Sequence, residues 1–278
     1  MTATALEQMV RSRRAVALTG AGLSTESGIP DYRGATSRLR PRTPLQHRDF
    51  LRDPAVRRRY WARSFVGWPR ISRAQPNAGH EAVAELERLG IVSGVITQNV
   101  DRLHRAAGSR RVIELHGALA ETRCLSCGLI ESREDLQARM VRMNPAIDVT
   151  RAMAAPDGDA DLDAAVVQGF NVPSCTSCDG VLKPDVVFFG DNVPRPVVDE
   201  AFAMVDAAEV LLVLGTSLAV FSGYRFVRRA AERDIPIAIV NEGETRGDAL
   251  ATIRIDARLG DVLPRLVQTL MDRPAVGA

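Results

Sequence analysis

The sequence has almost no lysine. Of its 36 lysine and arginine residues only Lys183 is lysine, which reads as the codon bias of a GC-rich genome. Aromatic residues are sparse, 5% of the chain, and only Tyr60-Trp61 stands beside an arginine run. The interleaving of rings and cations that nucleic-acid binding favours is therefore missing. A net charge of +2 gives no bulk attraction for a polyanion. The clusters Arg57-Arg58-Arg59, Arg110-Arg111 and Arg228-Arg229 read as solvated faces. No apolar run approaches the roughly 18 residues of a membrane span. Met1 to Arg14 lacks the apolar centre of a signal peptide and reads as a short helix leading into a strand. These absences lead to an expected cytoplasmic location, with no membrane partner and nucleic acid disfavoured.

Cysteine is also scarce, but what there is falls in a pattern. Cys124 and Cys127 form one Cys-x-x-Cys pair, and Cys175 and Cys178 another, with none left over. Two such pairs are the ligand set of a tetrahedral zinc site. Filled by four thiolates, the ion has no open position, so its role is structural. The alternative is a pair of redox motifs, each at a helix N-terminus. The 278 residues, 46% apolar and 25% charged, suit one large domain or a domain carrying an inserted module.

The chain is organised around Val16 to Gly34. An apolar run from Ala15 to Leu18 reads as a buried parallel strand. It ends at Gly20-Ala21-Gly22, where glycine lets backbone N–H groups approach a phosphate. Ser24 and Thr25 are candidate helix caps or hydroxyl donors. The third glycine of a dinucleotide fingerprint would fall at Thr25, so a plain strand-to-helix turn competes with a diphosphate cradle. The polar tail Asp31-Tyr32-Arg33-Gly34 favours the cradle.

Further on, strands and helices alternate. Asp53 to Trp68 reads as a helix with Asp53 as cap and Pro54 in its first turn; its aromatic residues read as core. Pro76-Asn77 opens a helix to Leu89, closed by Gly90, with His80 structural in its first turn. Strands follow at Ile91 to Thr97 and Val112 to Leu115, separated by a short helix. Arg133 to Met143 is a helical piece between the cysteine pairs. The acidic stretch 155–163 does not fit a calcium loop. The alternation resumes after Lys183: strand Asp185 to Phe189, helix Val197 to Ala208, strand Val210 to Leu214, helix Ser222 to Glu232, strand Pro236 to Val240 and helix Leu259 to Met271. The expected fold is α/β, a doubly wound parallel Rossmann-like sheet with a smaller inserted zinc-binding and helical module. A parallel sheet gathers its polar strand ends at one edge. Those ends are the Gly20 loop, Gln98-Asn99-Val100-Asp101, His116, Gly215-Thr216-Ser217 and Asn241-Glu242-Gly243. A lone histidine is usually structural, but His116 stands among the Gln98 to Asp101 group.

These motifs, in this order, resemble the sirtuins, which are NAD-dependent protein-lysine deacylases. The matching stretches are Gly20-Ala21-Gly22-x-Ser24, Gly28-Ile29-Pro30-Asp31-Tyr32-Arg33, Thr97-Gln98-Asn99-Val100-Asp101, Leu115-His116-Gly117, both cysteine pairs, Gly215-Thr216-Ser217 and Asn241-Glu242-Gly243. Arg59 to Pro69 and Lys183 to Asp191 resemble the class II branch, which includes a mitochondrial animal member with lipoamidase and ADP-ribosyltransferase activities. The resemblance implies a Rossmann-like domain of residues 1–34, 77–117 and 186–278, and a small domain of 35–76 and 118–185. It implies NAD as co-substrate and one structural zinc on Cys124, Cys127, Cys175 and Cys178. NAD contacts would come from Gly20, Ala21, Gly22, Ser24, Asp31, Tyr32, Arg33, Gln98, Asn99, Asp101, Gly215, Thr216, Ser217, Asn241, Glu242, Gly243 and Leu259.

In the same way the resemblance assigns the chemistry to His116, Asn99 and Asp101, with His116 as general base. It assigns the acyl-lysine tunnel to Val187, Phe188, Phe189 and Gly190, where protein substrates would dock in extended form. The products are nicotinamide, an O-acyl-ADP-ribose and free lysine. The same pocket could serve protein ADP-ribosyltransfer, which the sequence does not separate from deacylation; a non-enzymatic zinc-ribbon module would leave the polar strand ends without purpose. After Gly34 the chain lacks the tyrosine-x-x-arginine pair of desuccinylating members. Arg38, Arg40 and Arg42 stand there instead, either as solvated loop residues or as readers of an acid-ended acyl group such as glutaryl.

Overall fold

The computed structural model describes residues 2–31, 44–147 and 162–272. Tyr32, Arg33, Arg38, Arg40 and Arg42 lie outside the described residues, as does most of the acidic stretch 155–163.

The larger sheet is parallel and is built from β1 (Ala15–Thr19), β2 (Val92–Thr97), β3 (Val112–Glu114), β7 (Val210–Leu214), β8 (Ile237–Val240) and β9 (Ile253–Ile255), in the order β3-β2-β1-β7-β8-β9. Side chains alternate between its two faces, as the two-residue period of a strand requires. Ala15, Ala17, Val210, Leu212 and Leu214 share one core with Leu6, Leu86 and Leu263 from helices Thr2–Val10, Ala78–Arg88 and Leu259–Asp272. Val16, Leu18, Leu211 and Val213 face the other way, against Met204 and Phe226 from helices Arg195–Asp206 and Phe221–Glu232. Both β1 and β7 are buried along their whole length. That burial explains why they read as unbroken apolar runs rather than as alternation.

The strand order reverses between β1 and β7, and open α/β sheets place their ligand crevice at this point. There the Gly20 loop locks against the Gly215 loop: Gly20 N–H donates to Leu214 C=O at 3.2 Å and Gly22 N–H to Gly215 C=O at 2.8 Å. Gly215 has φ +62°, and a Cβ added there would lie 2.5 Å from Leu23 N. Only glycine permits both the backbone angle and the approach.

The smaller sheet is antiparallel, with order β5-β4-β6 from β4 (Gly117–Cys124), β5 (Ile130–Ser132) and β6 (Leu182–Val186). This corrects the expected strand Asp185 to Phe189. The apolar run Val186 to Phe189 looks like a parallel strand, but its pairing partner is β4, which begins immediately after His116. Beyond Val186 the chain leaves the ladder. Val187 N–H donates to His116 C=O at 2.9 Å, and Phe189 bridges to Gln46. Gly117 makes the crossing between sheets possible: it has φ +74°, and a Cβ there would lie 2.0 Å from Asp185 O.

Helix Pro54–Ile71 covers the small module. Asp53 caps it, its carboxylate accepting from Ala55 N–H at 2.7 Å, and Pro54 occupies the first turn. Trp61, Phe65 and Trp68 are core, as the sequence suggested, whereas Tyr60 is partly buried and faces a cleft. Trp61 Nε1–H donates to Leu182 C=O at 3.2 Å. The buried Arg133 guanidinium lies 5.7 Å from the Trp61 ring and 5.0 Å from the Trp68 ring, and it donates to Gln137 and Ser64.

Candidate active site

A cleft of about 1770 Å³ opens at the switch point. It brings together every described residue assigned above to NAD, to the chemistry and to the acyl-lysine tunnel. Gly20, Ala21, Gly22 and Ser24 line it from the first loop, Gln98, Asn99 and Asp101 from the end of β2, and His116 from the end of β3. Gly215, Thr216, Ser217, Asn241, Glu242, Gly243 and Leu259 line it too, with Val187 to Gly190 crossing from the small module. Asp31 is also in the lining.

His116 has both ring nitrogens occupied. Nδ1 stands 2.8 Å from Gln98 C=O, and Nε2 stands 2.8 Å from Ser222 Oγ. A carbonyl only accepts, so Nδ1 carries the proton and Nε2 holds the lone pair, with the Ser222 hydroxyl donating to it. Burial pushes the His116 pKa below the ordinary histidine value; Gln98 C=O opposes this, and the charge of Arg225 adds to it. The ring is therefore neutral at pH 7, with its basic nitrogen on the side of helix Phe221–Glu232.

Behind the glycine loop lies a buried polar network. Ser24 does not cap either of the short 3₁₀ turns Ala21–Leu23 and Thr25–Ser27. Its hydroxyl donates instead to Asp101 Oδ2 at 2.6 Å and accepts from Asn99 Nδ2 at 3.0 Å. Asn99 Nδ2 also donates to Gly20 C=O at 3.0 Å, and Asp101 accepts from Leu103 N–H at 2.9 Å. Burial raises the Asp101 pKa, and the hydrogen bond from Ser24 counters it. Thr19 donates to Thr97 at 2.9 Å and receives the Nε2 proton of His104 at 2.8 Å. His80 and His104 meet edge to face with centroids 5.2 Å apart. Burial lowers their pKa values to about 4 and about 3, so both are neutral. This shell holds Asn99 and the Gly20 loop at a fixed spacing. His80 is structural, as read: it completes the cap of helix Ala78–Arg88, with Nδ1 accepting from Asn77 N–H.

Asn241 directs its amide at its own loop. Its Nδ2 donates to Glu242 and Gly243 carbonyls at 2.9 and 2.8 Å, which shapes that loop. Arg254 of β9 holds the same loop by donating to the Asn241 and Gly243 carbonyls.

The cysteine cluster fits its ion. All four Sγ atoms lie within 4.8 Å of one another, with Cys124 to Cys178 at 3.6 Å and Cys127 to Cys175 at 3.7 Å. Zinc–sulfur bonds of ~2.3 Å in a tetrahedron put sulfur atoms about 3.8 Å apart. Backbone N–H groups of Ser126 and Ser177 point at Cys124 and Cys175 sulfurs, both at 3.4 Å, as thiolates require.

The Sir2 family profile matches residues 20–222. The chain belongs to the Sir2 family, the sirtuins. It is 51% identical over 274 residues to NAD-dependent protein deacetylase 1 of Mycobacterium avium, covering 97% of this chain and 96% of that protein. It is 51% identical over 265 residues to NAD-dependent protein deacylase Sirt4 of Drosophila melanogaster, covering 94% and 85%. Among solved structures, a Sir2 complex with a p53 peptide and NAD+ superposes with a TM-score of 0.77 at 30% identity, covering 98% of this chain and all of that one. This sirtuin is an NAD-dependent protein deacylase that acts on acylated protein, and its four cysteines are the structural zinc cluster of the family.

The sequence did not single out Ser222, Arg225 or the Thr19–Thr97 pair. Ser222 and Arg225 sit in an ordinary amphipathic helix, and nothing local marks them as cleft residues. Thr19 directly follows the apolar run Ala15 to Leu18 and Thr97 ends the next predicted strand, a readable signal, since the two are register partners.

Proposed function

We propose that the deacylation runs in the cleft at the switch point, with His116 as the general base. The observation that carries this reading is the tautomer of His116: Gln98 C=O holds the proton on Nδ1, so Nε2, hydrogen-bonded to the Ser222 hydroxyl, is the basic nitrogen in the cleft that the glycine loops and the Val187 to Gly190 segment also line. In this reading the N–H groups at Gly20 to Gly22 and the Gly215 to Ser217 loop hold the NAD diphosphate. Asn241, Glu242, Gly243 and Leu259 hold the adenosine end. Asn99, Asp101 and Gln98 keep the nicotinamide end in a dry wall, where departure of the nicotinamide is favoured by exclusion of water. NAD supplies the electrophilic ribose carbon to which the acyl oxygen bonds. His116 Nε2 takes a proton from a ribose hydroxyl, which attacks the acyl carbon. The bond from that carbon to the lysine nitrogen breaks to release free lysine, and one water molecule supplies the remaining oxygen and protons of the O-acyl-ADP-ribose and the amine. Val187 to Gly190 hold the acyl-lysine, with the extended peptide adding its backbone beside them.

The domain division 1–34, 77–117 and 186–278 against 35–76 and 118–185 follows the same reading, because it separates the NAD-holding sheet from the zinc module. A reducing cytoplasm suits four cysteines kept as thiolates. The relatives divide by name between deacetylases and, in the human protein (50% identical over 256 residues), a mitochondrial lipoamidase. We infer a preference for extended or acid-ended acyl groups over acetyl. A panel of acyl-lysine peptides, with NAD and purified protein, tests both points by mass spectrometry. O-acyl-ADP-ribose must appear with each deacylated peptide; ADP-ribosylated protein without it would replace this reading. Acetyl-lysine as best substrate would remove the acyl preference.

A further inference from the structure

Among the described residues, Arg102, Arg139 and Arg225 each have a buried Nε with no hydrogen-bond partner, but Arg102 is ion-paired with Glu121 and Arg139 with Glu131. Arg133 donates to Gln137 and Ser64, Arg139 pairs with Glu131, and Arg254 pairs with Asp248 while donating to three carbonyls. This is the rule for a cation taken from water. Arg225 breaks it. Its Nε is buried with no hydrogen-bond partner, and among the described residues it forms no ion pair. Its one contact of note is the Phe221 ring, 5.4 Å from the guanidinium carbon.

Arg225 lines the same cleft as His116 and the Phe188 to Gly190 segment. The other arginines lining that cleft are engaged: Arg258 lies 3.7 Å from Glu242, and Arg246 stacks 4.2 Å over the Tyr224 ring. Arg225 is close enough to His116 to depress its basicity. Phe221 is 51% exposed and Arg225 is partly buried beside it, so the pair forms a shelf that runs inward from the exposed ring. A guanidinium fork with a free Nε matches a planar carboxylate, and the ring accommodates the methylenes that carry it.

We propose that Arg225 binds a carboxylate on the acylated substrate, and so selects among substrates of the deacylase reaction. The exposed end of the shelf favours an acidic side chain flanking the acyl-lysine over a carboxylate at the end of the acyl chain. The inference rests on the acyl-lysine peptide occupying this cleft.

The test uses the zinc-loaded full chain, NAD and two peptide series. In the first, one acyl group is kept and each of the two residues on either side of the acyl-lysine is Glu or Gln. In the second, the flanks are neutral and the acyl group ends in a carboxylate or its amide. The wild type should favour Glu over Gln at one position by about tenfold in kcat/KM, the scale of one charge-assisted hydrogen bond. Arg225→Met should reduce that ratio to within about twofold, and Arg225→Lys should retain part of it. The ratio is the readout because misfolding lowers both members of a pair alike. A preference confined to the acyl series, and lost in Arg225→Met, supports the carboxylate site and moves its source to the acyl chain. The proposal is overturned if the wild type shows no acidic preference in either series. It is equally overturned if the preference survives Arg225→Met, or if that variant raises only the KM for NAD, which would place a phosphate on Arg225. Failure of the wild type to deacylate any peptide would instead refute the cleft assignment itself.

Discussion

The two sheets of this protein are stabilised by different means. In the parallel sheet every residue of β1, β7 and β8 is buried, and helices cover both faces. Apolar burial alone can hold such a structure, at roughly 25 cal/mol per Å². The antiparallel sheet packs on two smaller clusters. Ile130 of β5 is 46% exposed, and one of the two clusters includes Cys124 and Cys175 themselves. A module this thin requires its metal. His116, the proposed general base, stands between the two: it lies two residues beyond the end of β3, and Gly117 begins the antiparallel sheet. The site is thus assembled across the boundary between a self-sufficient region and a metal-dependent one.

Zinc removal should separate the two regions most sharply. Chelation, or Cys124→Ser, should abolish deacylation and hydrogen-exchange protection in β4 to β6, while β1, β2 and β7 stay protected. Equal loss of protection in both sheets would show that they fold as one unit. Full activity without zinc would remove the metal from the account.

A second substitution works at the boundary without disturbing either side. His116→Ala should lower turnover by roughly 100-fold or more, the scale of a lost general base, with zinc content and Tm close to wild type. Because burial depresses its pKa, His116 is already in its basic form at pH 6.5, so the acid limb of the wild-type kcat/KM profile should lie below that value.

Acid should attack the parallel side first. His80 and His104 are neutral in the fold, with pKa values of about 4 and about 3, against 6.5 for a free histidine. The unfolded chain therefore binds more protons between these limits, and stability must fall as pH drops from about 6.5 toward 3. Replacing His104 by Gln should flatten that slope in urea unfolding followed at several pH values. An unchanged slope would mean that other groups dominate acid unfolding.

The smallest effect is expected at Ser222. Losing its hydrogen bond to His116 removes ~1 kcal/mol of orientation, a change in kcat of less than tenfold. A loss as large as that of His116→Ala would make Ser222 a proton carrier rather than an orienting neighbour.

The sequence was most readable where burial and local chemistry agree. Val210–Leu214 is an apolar run bounded by loop residues, and it is a strand over those residues. Helix Arg133–Met143 begins and ends where its pattern does, and its N-terminus is fixed by Ser132 accepting from Glu134 N–H. Reading failed where pairing is non-local. β9 is three residues long and gains its identity only from β8. β6 was displaced because its apolar tail, Val187 to Phe189, lines the cleft rather than joining a sheet. Ser24 is a similar case. A serine after a glycine loop has the local signature of a cap, but Asn99 and Asp101, distant in sequence, claim its hydroxyl.

The sequence by itself determined the alternating α/β order, the glycine turns, the paired cysteines and the polar residues at strand ends, because each depends on neighbours within a few positions along the chain. Tertiary structure decided which of those ends share a cleft, which nitrogen of His116 keeps its lone pair, and that Arg225 lines the cleft with no acid paired to it among the described residues. Those properties follow from contacts such as Gln98 with His116 and His116 with Ser222, between residues up to 106 positions apart. A burial pattern or a turn signal is local, whereas a proton's position is set by whichever group the fold brings to face it.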